Sequence, residues 1–466
     1  MSHYGESTWQ SLCIASGVLR SLTSGLPQCL WWELKLSTVK LPRPTTAASR
    51  DLWGSLGVKL IFLPITAVLA LVALNSISVA FSDVGVGLYG LVVVIPLVIP
   101  FADLGLGGSV TEVVAARRLR QEHFVRQRIR NATAILVCIG LSVAVCAILV
   151  GSVQGWSIVI GIDGRDANIA FSLALALFGL CIPLALGYRI LLGLQRNTTV
   201  VAIQSGAGAL GYIWIIIAAK TGCPLWLSVV GPQLVALVSS ATAFAIAIRV
   251  FSRVDEFGTG DGSDFSLFRM ARSNLVVLMS IPIAYQGGRF LLAHSGRIEE
   301  LAHYTAAFAF YAPVAALVAS AGQSLWPRFS GIQSGSSAEF KDALRSAVLL
   351  FTSFGSVALL CLSLVAKPIS QIVLDEIDVP WALFFWFGLL AFFVSVQYPF
   401  GMALMGPSGV RFQSVCFALM AASSIALSWL TIDDLGSVAA VIGPLMSLVL
   451  VVLVPAITRT MVLGRR

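Results

Sequence analysis

Apolar stretches long enough to cross a membrane follow one another along most of the chain, separated by short polar segments. A helix needs about 20 apolar residues to span the hydrocarbon core of a bilayer. About twelve stretches reach that length, which predicts an all-α polytopic membrane protein. The predicted spans are Gly54–Ala80, Leu88–Gly108, Asn131–Gly151, Ile169–Gly193, Thr198–Ala218, Pro224–Ile248, Ser273–His294, Leu301–Trp326, Ser346–Ala366, Val379–Leu404, Phe412–Thr431 and Gly436–Ile457.

The polar gaps between these spans alternate in charge. Arginine is concentrated in the even-numbered gaps, most densely between residues 117 and 130, and again after the last span. The odd-numbered gaps carry acids instead, such as Asp375, Asp378 and Asp433. Because short loops rich in Arg and Lys stay on the cytoplasmic side of a membrane, the alternation predicts that both termini are cytoplasmic.

Composition agrees with a membrane location. Hydrophobic residues make up 58% of the 466 residues and charged residues 11%, and the mean hydropathy is +0.91; this balance excludes a soluble globular protein. The net charge of +8 lies mainly in short loops, so membrane orientation explains it and no nucleic-acid partner is expected. The eight cysteines lack C-x-x-C spacing and no G-x-x-x-x-G-K-[ST] motif is present, so neither a metal nor a cofactor is predicted.

The chain divides into four predicted parts. Residues 1–51 lack the periodic order of the rest and have no clean signal-peptide core. They are either a disordered or interfacial cytoplasmic tail or the product of a start site assigned too far upstream. Residues 52–250 are predicted to form a first six-helix bundle, 251–264 a Gly/Asp-rich cytoplasmic linker, and 265–466 a second six-helix bundle.

Weak internal symmetry relates the two bundles. Tyr304 stands 215 positions after Tyr89, and Arg345 stands 215 positions after Arg130. A shift of six helices preserves orientation, so the bundles are expected to run parallel and to be related by an axis along the membrane normal.

The most informative charged residue within a span is Arg289. It lies about 24 Å along the seventh span, at about 1.5 Å per residue, and Tyr285 and Gln286 project toward the same side. A charge at that depth costs several kcal/mol unless it is paired or hydrated. An arginine flanked by hydrogen-bonding side chains suits a phosphate or another anion. The alternative is an arginine that snorkels to the outer headgroups.

A second candidate lies in the second span, where Tyr89, Pro96 and Asp103 recur every seven residues. They share a helix face that is expected to line a cavity. Asp103 has two interpretations. In the first it lies in that cavity, where it carries a proton or pairs with a basic residue; in the second it is an acid at the cytoplasmic end of the helix.

Other polar residues within the spans are weaker candidates. Asn75 and Gln323 are explained by hydrogen bonds between helices without any ligand. Lys59 and Arg189 lie near cytoplasmic span ends and are expected to snorkel.

The second span also carries a recognisable motif. Residues 89–118 read YGLVVVIPLVIPFADLGLGGSVTEVVAARR, in which a Tyr-Gly start leads to an Asp-Leu-Gly-Leu-Gly turn and a basic loop. This segment resembles the second-helix signature of the polysaccharide and O-antigen flippases of the multidrug/oligosaccharidyl-lipid/polysaccharide exporter superfamily. Residues 287–314 and 324–331 resemble the seventh and eighth helices of that family in looser form. An Asp-Arg pair usually stands there; Gly288 replaces its acid, so only Arg289 carries over.

The resemblance covers about residues 52–466. It implies two parallel six-helix bundles around a central cavity that opens alternately to each side of a bacterial cytoplasmic membrane. The implied cargo is a polyprenyl-diphosphate-linked oligosaccharide, moved from the inner to the outer leaflet for cell-surface polysaccharide biosynthesis. The implied partners are that lipid, membrane lipids, and polymerase or glycosyltransferase machinery. The candidate substrate-binding residues are then Arg289, Tyr285, Gln286, Gln323, Asp103, Tyr89 and Asn75.

Two other functions stay open at this point. An ion-coupled exporter of drugs or small metabolites has the same fold, although Arg289 argues against a cationic cargo because like charges repel in a low dielectric. A membrane-embedded glycosyl or acyl transferase would need acids or histidines clustered at one membrane face. The histidines beyond the N-terminal segment are His123, His294 and His303, and the outer acids are dispersed, so no enzyme is predicted.

Overall fold

The computed structural model describes residues 47–98, 106–115, 117, 121–162, 164–253, 257–258, 267–323, 325, 329, 337–374 and 376–463. Residues 51–466 form one compact unit. Within the described ranges the regular structure is helical, as expected where a backbone in hydrocarbon must satisfy its own hydrogen bonds. The helices are α1 (Ala47–Val92), α2 (Ile95–Val98), α3 (Leu106–Ala115), α4 (Glu122–Ser152), α5 (Trp156–Ile160), α6 (Arg165–Leu184), α7 (Leu186–Gly193), α8 (Asn197–Lys220), α9 (Leu225–Phe251), α10 (Leu267–His294), α11 (Ile298–Gln323), α12 (Ser337–Leu364), α13 (Ala366–Val373), α14 (Trp381–Ala403), α15 (Pro407–Leu435), α16 (Ala439–Ser447) and α17 (Val454–Leu463), with a 3₁₀ turn at Gly436–Val438 and a π-helix at Leu448–Leu453.

Ten segments of the described chain are long and apolar enough to cross a membrane, and the first of them reverses direction within α1. The backbone of Ser82 leaves the helical region there, with φ 52° and ψ −158°. Before this point Lys59 lies beside Ser320, near the end of α11. After it Gly87 lies beside Leu301, near the beginning of α11. The two arms of α1 are therefore antiparallel.

The last of the ten segments also contains a reversal, at Gly436 (φ 53°). Ser428 on α15 donates to the carbonyl of Ala439, and Ser423 bonds Ser447 on α16, so these helices run antiparallel. With two reversals, the ten described segments make twelve traverses. The predicted fold class, an all-α membrane protein of about twelve helices, is confirmed.

Packing divides the traverses into two halves. In the first half, α4 packs on α6, and α9 packs on α6, α7 and α8; in the second, α12 packs on α14 and α10 on α15. The helices recur with a shift of about 215 residues: α4 begins at 122 and α12 at 337, and α9 begins at 225 and α16 at 439. The parallel repeat suggested by Tyr89 and Tyr304 thus extends along both halves, while the domain boundaries stay a prediction.

The halves meet closely at the membrane side that the charge pattern predicts to be outer. A β-carbon on Gly87 would lie 3.2 Å from the Leu301 side chain, and one on Gly90 would lie 3.0 Å from the Thr305 methyl group. Glycine at these positions lets α1 approach α11 closely. Near the opposite, inner side, the ammonium of Lys59 bonds the Ser320 hydroxyl at 3.4 Å.

Candidate functional site

The second membrane traverse is broken between α1 and α2, at residues 93–94. Pro96 has no N–H, so the carbonyl of Val92 loses its helical donor. The side-chain amide of the buried Gln233 donates to that carbonyl at 3.4 Å. An unsatisfied carbonyl in hydrocarbon costs several kcal/mol. Gln233 on α9 therefore stabilises an irregular backbone in the middle of the membrane, which is tolerated where it adjoins a cavity.

We expect Gln233→Leu to destabilise the protein by about 1–3 kcal/mol, because the Val92 carbonyl stays buried without its donor. Thermal unfolding in detergent measures the loss. Gln204→Leu is the matched control, since Gln204 is exposed and lines the adjoining cavity; its effect should stay within about 0.5 kcal/mol. Equal destabilisation by the two substitutions would contradict this role of Gln233.

A cavity with both apolar and polar lining residues adjoins the break, inside the first half. It has two parts, of about 540 Å³ and 340 Å³, which share Pro96, Tyr188 and Gln204 as lining residues. The inner part is lined in addition by Lys59, Arg189 and Asn197. The deep part is lined in addition by Tyr89, Tyr212, Gln233, Ser239 and Ser240.

The cavity reaches far into the membrane. Asn197 begins α8 and Tyr212 stands on the same helix, about 22 Å further along at about 1.5 Å per residue. That is well over half of the hydrocarbon core, which is about 30 Å thick. Most polar lining residues of the deep part carry hydroxyl groups: Tyr188 bonds Ser239 at 3.1 Å, and Tyr89 and Tyr212 line the same space. Such groups can exchange their partners for those of a polar ligand.

The equivalent place in the second half is filled by aromatic rings. Phe308 and Tyr311 stand 215 positions after Val93 and Pro96, which line the cavity of the first half. The Phe387 ring lies 5.2 Å from Tyr311 and 6.1 Å from Phe308, between ring centroids. Larger side chains at two repeat positions thus explain why the halves differ.

Arg289 lies behind the deep end of the cavity and is 1% exposed. It donates to the carbonyl of Gly90 at 2.7 Å, across the contact between the halves. The guanidinium carbon lies 4.3 Å from the centre of the Phe308 ring and 5.4 Å from that of Tyr304. Its Nε is buried without a hydrogen-bond partner. A buried cation that joins two halves through a single backbone carbonyl retains capacity for a further anionic acceptor.

The neighbours of Arg289 on α10 contribute backbone and side-chain groups. The Tyr304 side chain lies beside Arg289, and its hydroxyl donates to the carbonyl of Tyr285 at 3.2 Å. Gln286 is buried, and its Oε1 has no hydrogen-bond partner. Two polar atoms without partners, Arg289 Nε and Gln286 Oε1, therefore lie on one buried stretch of α10.

The structure separates the residues predicted to bind substrate. Tyr89 lines the cavity and interacts electrostatically with Arg289, so these two are brought together on either side of Gly90. Asn75 is half-buried on α1 and is not among the residues that line the two parts of the cavity. Asp103 and the side chain of Gln323 lie outside the described residues.

Several cavity residues have no role or another role in the sequence-based predictions. Lys59 and Arg189 were expected to snorkel, and both line the inner part of the cavity. Tyr188, Tyr212 and Gln233 are polar residues within apolar spans, which is a usable signal, but tyrosine is common near membrane interfaces and the signal is weak. Within the described ranges no group of three or more His, Cys, Asp or Glu side chains could hold a metal ion.

Comparison with known proteins gives a family for this chain and a set of structures with a similar fold. The family model described as "Polysaccharide biosynthesis protein" matches residues 55–333. The chain is similar in structure to the lipid II flippase MurJ in an inward closed conformation (TM-score 0.65, 12% identity, 86% of this chain and 87% of the other). It is also similar to an inward-facing multidrug resistance MATE family transporter of the MOP superfamily (TM-score 0.59, 15% identity, 88% and 98%). A third similar structure is the MATE multidrug transporter DinF-BH (TM-score 0.59, 14% identity, 91% and 98%). No curated protein sequence matches the chain.

Proposed function

Because the chain belongs to the polysaccharide biosynthesis protein family and has the fold of MOP-superfamily transporters, we propose that it moves a polyprenyl-diphosphate-linked oligosaccharide across a bacterial cytoplasmic membrane. Transfer runs from the inner to the outer leaflet by alternating access, with both termini cytoplasmic. The observation that carries this proposal is the cavity, which is cationic at its inner end and lined by hydroxyl and amide groups deeper in. A diphosphate requires the first environment and sugar hydroxyls require the second.

Different residues bind the diphosphate at the inner and at the outer side of the membrane. Lys59 and Arg189 meet the diphosphate at the inner end of the cavity. Arg289 meets it at the outer side once the halves part there, because separation removes the Gly90 carbonyl from the guanidinium. Tyr285 and Gln286 supply hydrogen bonds beside Arg289. The polyprenyl tail stays in the lipid throughout, so only the polar head crosses the protein.

Three further residues belong to the proposed binding set on sequence grounds: Asp103, Gln323 and Asn75. Tyr89, at the deep end of the cavity, contacts the glycan. The role is transport rather than catalysis, in a pathway where polymerase or glycosyltransferase machinery uses the translocated lipid.

Purified protein in proteoliposomes tests the function. A fluorescent polyprenyl-diphosphate oligosaccharide is placed in the leaflet that corresponds to the cytoplasmic side, and its arrival in the other leaflet is followed with a membrane-impermeant glycosidase. We expect transfer that empty liposomes do not show. Efflux of a cationic dye is measured in parallel on the same preparation. Dye efflux without lipid transfer would contradict the proposal in favour of a small-molecule exporter.

A further inference from the structure

The cavity of the first half changes in character along its length. Its inner part is lined by two cations, Lys59 and Arg189. Its deep part, around Tyr89, Tyr212 and Gln233, has no carboxylate, ammonium or guanidinium group among the described lining residues. Resting on the proposed function, we infer that the transported glycan is uncharged. While the outer contact is closed, the negative charge of the substrate then stays with the diphosphate at the inner end.

The chemistry of the deep part supports a neutral ligand. Tyrosine and serine hydroxyls and glutamine amides donate and accept hydrogen bonds, which matches sugar hydroxyl groups in both directions. None of these groups neutralises an ion. A carboxylate taken to this depth without a cation is strongly disfavoured, because the surrounding hydrocarbon and protein solvate charge poorly.

The nearest cation beyond the deep part does not remove this cost. Arg289 is 1% exposed, and its guanidinium donates a hydrogen bond to the Gly90 carbonyl. Arg289 is not among the residues that line the cavity. An acidic sugar in the deep part therefore has no exposed cation beside it while the outer contact is closed.

Three matched lipids test the inference on the wild-type protein. They share the polyprenyl diphosphate and the number of sugars, and differ in one residue: a hexose, the corresponding hexuronic acid, or the methyl ester of that acid. We expect the hexose and the methyl ester to be transferred at least about tenfold faster than the acid, since only the acid places an unpaired charge in the cavity.

Equal rates for acid and hexose would overturn the inference and leave the transport function standing. A methyl ester as slow as the acid would also overturn it, because size and not charge would then decide. Transfer of none of the three by folded protein would contradict the proposed function itself.

A variant with an added positive charge in the cavity should favour the acidic glycan. Gln204 is exposed and lines both parts of the cavity, so Gln204→Lys adds a cation where the glycan passes and leaves room for its side chain. We expect the ratio of acid to hexose transfer to rise at least about tenfold, whereas Gln204→Asn should keep the wild-type preference for the hexose. Thermal unfolding checks that the Gln204→Lys variant is folded. If the folded variant keeps the wild-type ratio of acid to hexose transfer, charge is not the basis of selection.

Discussion

Arg289→Ala is expected to lower lipid transfer by about 30-fold or more, because removing one partner of a buried, hydrogen-bonded charge pair costs at least about 2 kcal/mol. The guanidinium has two tasks in this account: it bonds the Gly90 carbonyl at 2.7 Å while the outer contact is closed, and it binds the diphosphate when that contact opens. Leaflet transfer at matched protein levels measures the loss. Arg289→Lys keeps the charge but loses the planar fork and its stacking on Phe308, so an intermediate rate is expected.

Arg289→Met separates binding from stability. Methionine fills a similar space without a charge. It removes the desolvation cost of the guanidinium but leaves the Gly90 carbonyl without this donor, and the two effects oppose each other. We therefore expect a midpoint of thermal unfolding close to that of the wild type, with transfer as low as in Arg289→Ala. Wild-type transfer by a well-folded Arg289→Met would show that the arginine does not bind substrate.

Gly90→Val is expected to hold the outer contact open and lower transfer at least about tenfold, since inserting methyl groups into a packed contact costs about 1–3 kcal/mol. A β-carbon at this position would lie 3.0 Å from the Thr305 methyl group and closer still to its hydroxyl. Thr305 is 3% exposed, so its side chain has little room to move away. The readout is labelling of a Gly87→Cys variant by a membrane-impermeant maleimide, which should become faster in the Gly90→Val background.

A second substitution provides the control for this prediction. The Thr305 hydroxyl is buried without a hydrogen-bond partner, so Thr305→Ala alone removes bulk at little cost. In the double variant Gly90→Val/Thr305→Ala we expect transfer to recover and labelling at position 87 to slow, a coupling that a double-mutant cycle quantifies. If Gly90→Val labels as slowly as the parent, the glycine contact does not control opening of the outer side.

The sequence was sufficient to predict the helices and the family, because both depend on local signals. The hydropathy of the sequence gives the length of each span. The acids Asp433 and Asp434 mark the boundary between the two traverses that join at Gly436, so these traverses are also predicted correctly. The Tyr-Gly start and the DLGLG turn gave the family, which the matched family model confirms. Arg289 stood out because a charge in a span has few explanations.

The position of the cavity depends on contacts that no local signal contains. It exists in the first half because Val93 and Pro96 leave space that Phe308 and Tyr311 fill in the second. The Gln233 side chain donates a hydrogen bond to the Val92 carbonyl, 141 positions away in the chain. Lys59 and Arg189 are near span ends in the sequence, and only the folded structure shows that both line one cavity.

Alternating access is tested most directly by a covalent bond across the outer contact. A β-carbon at position 87 would lie 3.6 Å from the Leu301 γ-carbon, so Gly87→Cys/Leu301→Cys brings two thiols within reach of a disulfide. The pair is made with the eight native cysteines replaced by serine, and each single cysteine is the control. We expect transfer of the lipid-linked oligosaccharide to stop on oxidation and to return on reduction. If fully cross-linked protein transferred the lipid as fast as the same protein after reduction, alternating access would be contradicted. The substrate would then cross without any separation of the two halves.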